Sequence, residues 1–227
     1  MKENKIWNDY LPEDMQEHWT VYECLKESED SSTFLVKETA TGILCVLKWG
    51  RNRQTEFLRN EMEIMKKMAD RKLSGIPKAY RIFEENGEVY LVREYIEGMS
   101  LAQMVLQKGG ISEAEICRIS RKICQTAEQF QNPDEPMIHR DIKPENIVVT
   151  PGGEVVFIDF GTMRSYKKDG SRDTFVVGTR GTAAPEQYGY TQTDQRTDVY
   201  AIGQTMLYMV SESYEMNQLS ECAVSRR

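Results

Sequence analysis

The sequence predicts an α+β protein of two lobes, a small β-rich lobe followed by a mostly helical one. Three observations predict it. Before residue 96, five runs rich in β-branched and aromatic residues are joined by turn signals, with one helical stripe among them. After Gly98 the apolar spacing changes from two to three or four. Within the helical half, two short apolar runs at 147–149 and 155–158 carry oxygen-bearing side chains at their outer ends.

Residues 1–18 mix charge, Pro12 and isolated aromatics and read as an N-terminal leader, packed on the surface or loose. Residues 19–25, 33–37 and 43–48 read as strands, the last two joined by a turn at Ala40, Thr41 and Gly42. Leu58, Met62, Met65 and Ala69 recur at helical spacing, with Glu61 at the margin of that stripe and Lys66 and Lys67 opposite. Residues 78–83 and 88–95 flank Asn86-Gly87, the strongest hairpin signal in the chain. Together these make a five-stranded antiparallel sheet with one helix over residues 19–96, and the linker lies near residues 95–98. The second lobe, residues 97–227, opens on helical signals. Ser112 followed by Glu115 is a capping box, and Ile116, Ile119, Ile123, Ala127 and Phe130 continue its stripe. A helix from about 198 to 210 is apolar on most sides and is expected to be buried.

Composition narrows the function classes. The net charge of −7 argues against a general affinity for nucleic acid or anionic membrane, and no basic run reverses that. No apolar stretch reaches the roughly 20 residues of a membrane span. Five cysteines without CxxC spacing fit a reducing compartment, so a cytoplasmic location is expected.

The chemistry concentrates between residues 139 and 159. The runs 147–149 and 155–158, separated by Thr150, Pro151, Gly152, Gly153 and Glu154, read as a hairpin. Such a hairpin returns to its start, so Asn146 before it and Asp159 after it emerge at one end. Two adjacent oxygen donors of this kind suit Mg²⁺, with phosphate oxygens and water completing its shell. Asp141 lies five residues upstream, near enough to face the same place.

His139, Arg140 and Asp141, with Lys143 and Asn146 in step and Asp159, Phe160 and Gly161 following, resemble the catalytic-loop and metal-binding motifs of the eukaryotic-like Ser/Thr protein kinases, a group that includes bacterial-type members. The resemblance implies a bilobal protein-kinase-like fold that transfers the γ-phosphoryl of ATP to a protein Ser or Thr. It implies Asp141 as catalytic base, Lys143 as a catalytic group on the transferred phosphoryl, and Asn146 and Asp159 as Mg²⁺ ligands. Lys48 and Glu61 align with the strand lysine and helix glutamate that serve the phosphates. Nucleotide-binding roles follow for Val46, Glu94, Ile96 and Val148, with Glu94 in the adenine-binding hinge. Residues 178–186, ending in Ala184, Pro185 and Glu186, resemble the close of an activation segment, with Thr179 at its conserved threonine position. Asp198 resembles the aspartate that holds the catalytic loop, although a helix N-terminal charge alone would also place an acid there. Ser171 and Thr174 are candidate phosphorylation sites that would pair with Arg140.

Three departures qualify the resemblance. The phosphate-loop glycines fall on Lys26, Ser28 and Ser31, with Glu27, Glu29 and Asp30 adding negative charge, so weaker ATP binding is expected. Arg93 stands where an uncharged residue is usual; it is expected either to compete with Lys48 for Glu61 or to reach solvent. The helical lobe is expected to be incomplete, leaving Glu186 without its usual arginine and an apolar surface open to self-association. Two alternatives stay open: a pseudokinase acting as a regulatory or scaffold module, and a small-molecule kinase of the same fold.

Overall fold

The sheet of the first half is covered on both faces over residues 89–93 near its centre, whereas Tyr22, Leu25 and Tyr80 on its outer strands are exposed. In a computed structural model, residues 11–108, 110–132, 134–166, 178–188 and 192–211 are described. They divide into two units, one of residues up to Asp70 with Pro77–Tyr95, the other of Arg71–Ile76 with Ile96 onward.

The first unit is a five-stranded antiparallel sheet. Its strands are β1 (Trp19–Glu27), β2 (Ser31–Glu38), β3 (Leu44–Gly50), β4 (Ala79–Glu85) and β5 (Glu88–Glu94), in the spatial order β1-β2-β3-β5-β4. The Asn86-Gly87 turn joins β4 to β5 with both residues at positive φ, 51° and 80°, as a two-residue hairpin of this kind requires. Helix α2 (Gln54–Asp70) lies on one face, where Leu58 and Met62 meet Val89 and Leu91. Its buried stripe runs through Met65 and ends at Met68, whereas Ala69 is exposed.

The opposite face is covered from the N-terminal side. A single-turn helix, α1 (Glu13–Gln16), places Leu11 and Met15 at 3% and 2% exposure in a cluster with Trp19, Phe34, Leu47, Tyr90 and Val92. From Leu11 onward, then, the leader is part of the core. Met15→Ala is predicted to cost about 2–4 kcal/mol, read from the urea midpoint, because a buried thioether leaves a cavity between helix and sheet.

The second unit contains α3 (Leu101–Lys108), α4 (Glu113–Glu128) and α5 (Gln195–Ser211). Strand β6 (Met99–Ser100) precedes α3, and β7 (Met137–Ile138), β8 (Ile147–Val149), β9 (Val155–Phe157) and β10 (Arg164–Ser165) lie between α4 and α5. Ser112 caps α4 by accepting from the Glu115 N–H at 3.3 Å. Gly98 must be glycine: at φ +153° an added Cβ would meet the carbonyl oxygen of Val149 and, at 2.8 Å, the Val148 side chain. Helix α5 buries Thr197, Asp198, Ala201, Thr205 and Met209 but exposes Val199, Tyr200 and Met206, so its burial is one-sided. Among the described residues, no helix is long and apolar enough to cross a membrane. Ser171 and Thr174 lie outside the described residues.

Candidate active site

Asp198 organises the loop that follows β7. Its carboxylate, 2% exposed near the start of α5, accepts from the N–H groups of His139 at 2.8 Å and Arg140 at 2.9 Å. These bonds hold Arg140 at φ +68°, a conformation costly for a residue with a Cβ. Three more contacts fix the same turn. Gln187 Nε2 donates to the Arg140 carbonyl at 2.6 Å, Arg140 Nε donates to the Thr162 carbonyl at 2.6 Å, and Thr162 Oγ1 donates to the His139 carbonyl at 2.9 Å. Burial pushes the Asp198 carboxyl up to about 6, while the two amide hydrogen bonds pull it down. Asp198 thus acts on the loop backbone rather than only as a helix N-terminal charge.

The next residue, Asp141, is the hub of a closed polar cluster. Its Oδ1 accepts from Thr179 Oγ1 at 2.8 Å, and its Oδ2 accepts from Lys143 Nζ at 2.8 Å and Asn146 Nδ2 at 3.0 Å. Lys143 Nζ also donates to Thr179 Oγ1 at 2.6 Å. Thr179 is fixed in turn, its carbonyl accepting from the N–H of Ala183 at 2.8 Å. A hydroxyl is therefore already held between a carboxylate and an ammonium. Glu186, expected to lack its usual arginine, accepts instead from Thr197 Oγ1 at 2.6 Å.

Strands β8 and β9 form the hairpin, in the register Ile147↔Phe157, Val148↔Val156 and Val149↔Val155. Beyond its last pair, the Ile158 N–H donates to the Asn146 carbonyl at 3.0 Å, which closes the hairpin base, with Asp159 the next residue after Ile158. Asn146 spends its Nδ2 on the Asp141 side chain and carbonyl, so its amide oxygen is directed elsewhere. An amide oxygen with the Asp159 carboxylate is a hard-oxygen donor set that fits Mg²⁺. Among the described residues no three His, Cys, Asp or Glu side chains form a metal cluster, so water and phosphate oxygens would complete the shell. Val148 is buried on β8 and Ile96 is half-buried.

In the first unit, Lys48 Nζ donates to both oxygens of Glu61, at 2.7 and 2.8 Å. Glu61 is 1% exposed, deeper than the margin of the stripe at which its spacing puts it, because the lysine accompanies it inward. Val46 pairs with Arg93 and Lys48 with Leu91, so period-two alternation puts these side chains on the α2 face. Arg93 is 4% exposed and donates through Nη1 to the Glu94 carbonyl at 2.9 Å, so it does not reach solvent, and Lys48 retains Glu61. Glu94 also accepts from the Lys78 N–H through Oε2 at 3.0 Å. The predicted phosphate loop is short: Lys26 lies in β1, Ser31 in β2, and only Ser28, Glu29 and Asp30 connect the strands.

His139 is a buried group that the motif reading left without a role. Its ring lies against Phe130, Phe157 and Phe160, with centroids 6.2, 5.4 and 5.4 Å away. Burial pushes the imidazole down to about 4, against the upward pull of the Asp141 and Asp159 carboxylates. Its folded pKa is below the ordinary 6.5, so the stability it contributes is present above that value and lost as pH falls toward 4. His139→Phe removes that loss. Stability of the variant relative to wild type should rise by about 3 kcal/mol between pH ~7 and pH ~4, as measured by urea unfolding at both. A pH-independent difference would contradict the neutral buried ring.

Sequence reasoning missed Gln187, the left-handed Arg140 and Thr162. Gln187 and Thr162 have no periodic or motif signal, and the motif that contains Arg140 does not show its positive φ, since each acts through contacts with distant backbone.

Comparison with known proteins agrees with this geometry. Residues 20–223 match the protein kinase domain family. Serine/threonine-protein kinase D of Synechocystis is 32% identical over 199 residues, covering 79% of this chain and 38% of the relative. Serine/threonine-protein kinase cds1 of Schizosaccharomyces pombe is 28% identical over 177 residues, covering 74% and 37%. The probable serine/threonine-protein kinase PknB of Corynebacterium glutamicum is 34% identical over 125 residues, covering 54% and 19%. The chain thus spans less than two fifths of the length of each of these three. It belongs to the protein kinase domain family.

Proposed function

We propose that this chain transfers the γ-phosphoryl of ATP to a serine or threonine of a protein substrate, with Asp141 as the base. The observation that carries the reading is the Thr179 hydroxyl held by Asp141 and Lys143, at 2.8 and 2.6 Å. A carboxylate that accepts from one alcohol beside a fixed ammonium is equipped to accept from an acceptor alcohol. In the reaction the acceptor O–H gives its proton to Asp141 as its oxygen bonds the γ-phosphorus. The bond from that phosphorus to the β–γ bridging oxygen breaks, and ADP leaves.

Lys143 would stabilise charge on the transferred phosphoryl. Lys48, steadied by Glu61, would bind the α and β phosphates, while Val46, Val148 and Ile96 would pack on the base beside Glu94. Mg²⁺, held by Asn146 and Asp159, would supply charge neutralisation on the phosphates. Ser28 and Ser31 belong to the turn that would approach them. We assign residues 19–96 and 97–227 as the two lobes, with residues 1–18 as an N-terminal segment. The four described cysteines are free thiols, which supports a reducing, cytoplasmic setting.

A pseudokinase is disfavoured, since every charged position the chemistry needs is filled and partnered. A small-molecule acceptor is disfavoured by the similarity to protein kinases. Phosphoamino-acid analysis of a mixed protein acceptor labelled by the purified chain tests the choice. Phosphoserine or phosphothreonine is expected, and phosphotyrosine alone, or label only on a small molecule, would refute it.

A further inference from the structure

The glycine-free turn between β1 and β2 is gripped through its backbone carbonyls by Arg51, just past β3, while Asn52 Nδ2 donates to the Asp30 carboxylate at 2.6 Å. Arg51 Nη2 donates to the carbonyls of Ser28 at 3.0 Å and Glu29 at 2.9 Å, and its Nε donates to Glu29 at 3.1 Å. The Arg51 N–H donates to the Asp30 carbonyl at 2.9 Å. Three consecutive carbonyls therefore converge on one residue. The guanidinium is itself fixed, with Cζ 4.2 Å from the centroid of Trp49. Trp49 stacks on Tyr90, and both donate to Glu88 Oε2, at 2.8 and 2.9 Å.

In a trans peptide the C=O of one residue and the N–H of the next point in opposite directions. Drawing the carbonyls of Ser28 and Glu29 toward Arg51 therefore turns the N–H groups of Glu29 and Asp30 away from it. Neither of those N–H groups has an acceptor among the described residues. The flanking hydroxyls close the turn instead. Ser28 Oγ lies 2.9 Å from Ser31 Oγ and accepts from the Ser31 N–H at 3.2 Å, and the Ser28 N–H donates to the Ser31 carbonyl at 2.8 Å. No residue of the turn has positive φ.

We propose that Arg51 is a positioning residue for the nucleotide, gripping the turn's carbonyls so that the Glu29 and Asp30 N–H groups stand outward as a pair of donors to a phosphate oxygen. Glycine achieves such an arrangement through backbone freedom; here a side chain imposes it. The guanidinium also offsets the negative charge of Glu29 and Asp30, which would otherwise repel a polyanion. The inference rests on ATP being the ligand.

The test is Mg-ATP affinity and amide hydrogen exchange in wild type, R51A and R51K. In wild type a non-hydrolysable ATP analogue should slow exchange at the Glu29 and Asp30 amides. R51A should lose that protection and bind Mg-ATP about tenfold more weakly, with protein-substrate KM unchanged. R51K keeps the charge but not the fork, so it should recover only a minor part of the affinity. Unchanged affinity in R51A, or full recovery in R51K, would overturn the inference. Wild-type protein that binds Mg-ATP with both amides unprotected would overturn it even if R51A does not fold. Wild-type protein that binds no Mg-ATP would overturn the ATP reading and this inference together.

Discussion

Asp198→Ala should lower both stability and phosphoryl transfer, although Asp198 itself touches no reacting atom in the proposed chemistry. The substitution leaves the N–H groups of His139 and Arg140 buried without the acceptors they have at 2.8 and 2.9 Å. Each buried orphan costs about 1–3 kcal/mol, so a loss of about 2–6 kcal/mol is expected in urea unfolding. Arg140 would also be released from φ +68°, and Asp141 follows it directly. Displacing the base by even an ångström should cost about 100-fold in kcat.

Asp198→Asn keeps the shape and one acceptor oxygen, so it should fall between wild type and alanine in both measurements. The two differ in pH dependence as well. Burial holds the folded Asp198 carboxyl near 6, above its ordinary 3.8, so the stability it contributes is complete below the ordinary value and lost as pH rises through 6. The asparagine variant has no such loss. Its deficit relative to wild type should therefore narrow between pH ~4 and pH ~7, and a deficit that widens would contradict the assignment.

Much of the fold was legible because local signals agreed with distant packing. Asn86-Gly87 demanded a tight hairpin, Ser112 with Glu115 demanded a helix start, and the runs on either side of residues 150–154 demanded a second hairpin. Elements whose stabilisation is wholly non-local were not legible. Strands β6, β7 and β10 have two residues each, too few to show a period, and exist only because partners at Val149, Ser165 and Ile138 lie opposite. Leu11 and Met15 give no signal within a leader that reads as charge, Pro12 and isolated aromatics, because what they cover, the Leu47 and Val92 face of the sheet, is far along the chain.

The candidate site divides the same way. Asp141, Lys143, Asn146 and Asp159 could be picked out by spacing, since one loop and one hairpin carry them all. What positions them could not. The Asp198 and Gln187 contacts span 59 and 47 residues of sequence, and the turn at Arg140 is a conformation no propensity favours. Arg51 is the same kind of case: its link to Ser28 spans 23 residues and leaves no pattern in either segment. Glu61 shows the limit of periodicity, since an acid at a stripe's edge reads as solvated until Lys48 is seen against it.

Asp141→Asn is the second change with a large expected effect. It is nearly isosteric and keeps an oxygen able to accept from Thr179, so the polar cluster and the fold should persist. It removes the negative charge paired with Lys143 at 2.8 Å and the basicity needed to take the acceptor proton. Loss of a positioned general base is worth about 10²–10⁴ in rate. Radiolabelled transfer from γ-labelled ATP with Mg²⁺ to a mixed protein acceptor, run with wild type and Asp141→Asn at matched folded fractions, tests the account most directly. Clear labelling by wild type and at least a hundredfold less by the variant is the predicted result, whereas equal labelling by both, or none above background by wild type, would contradict it.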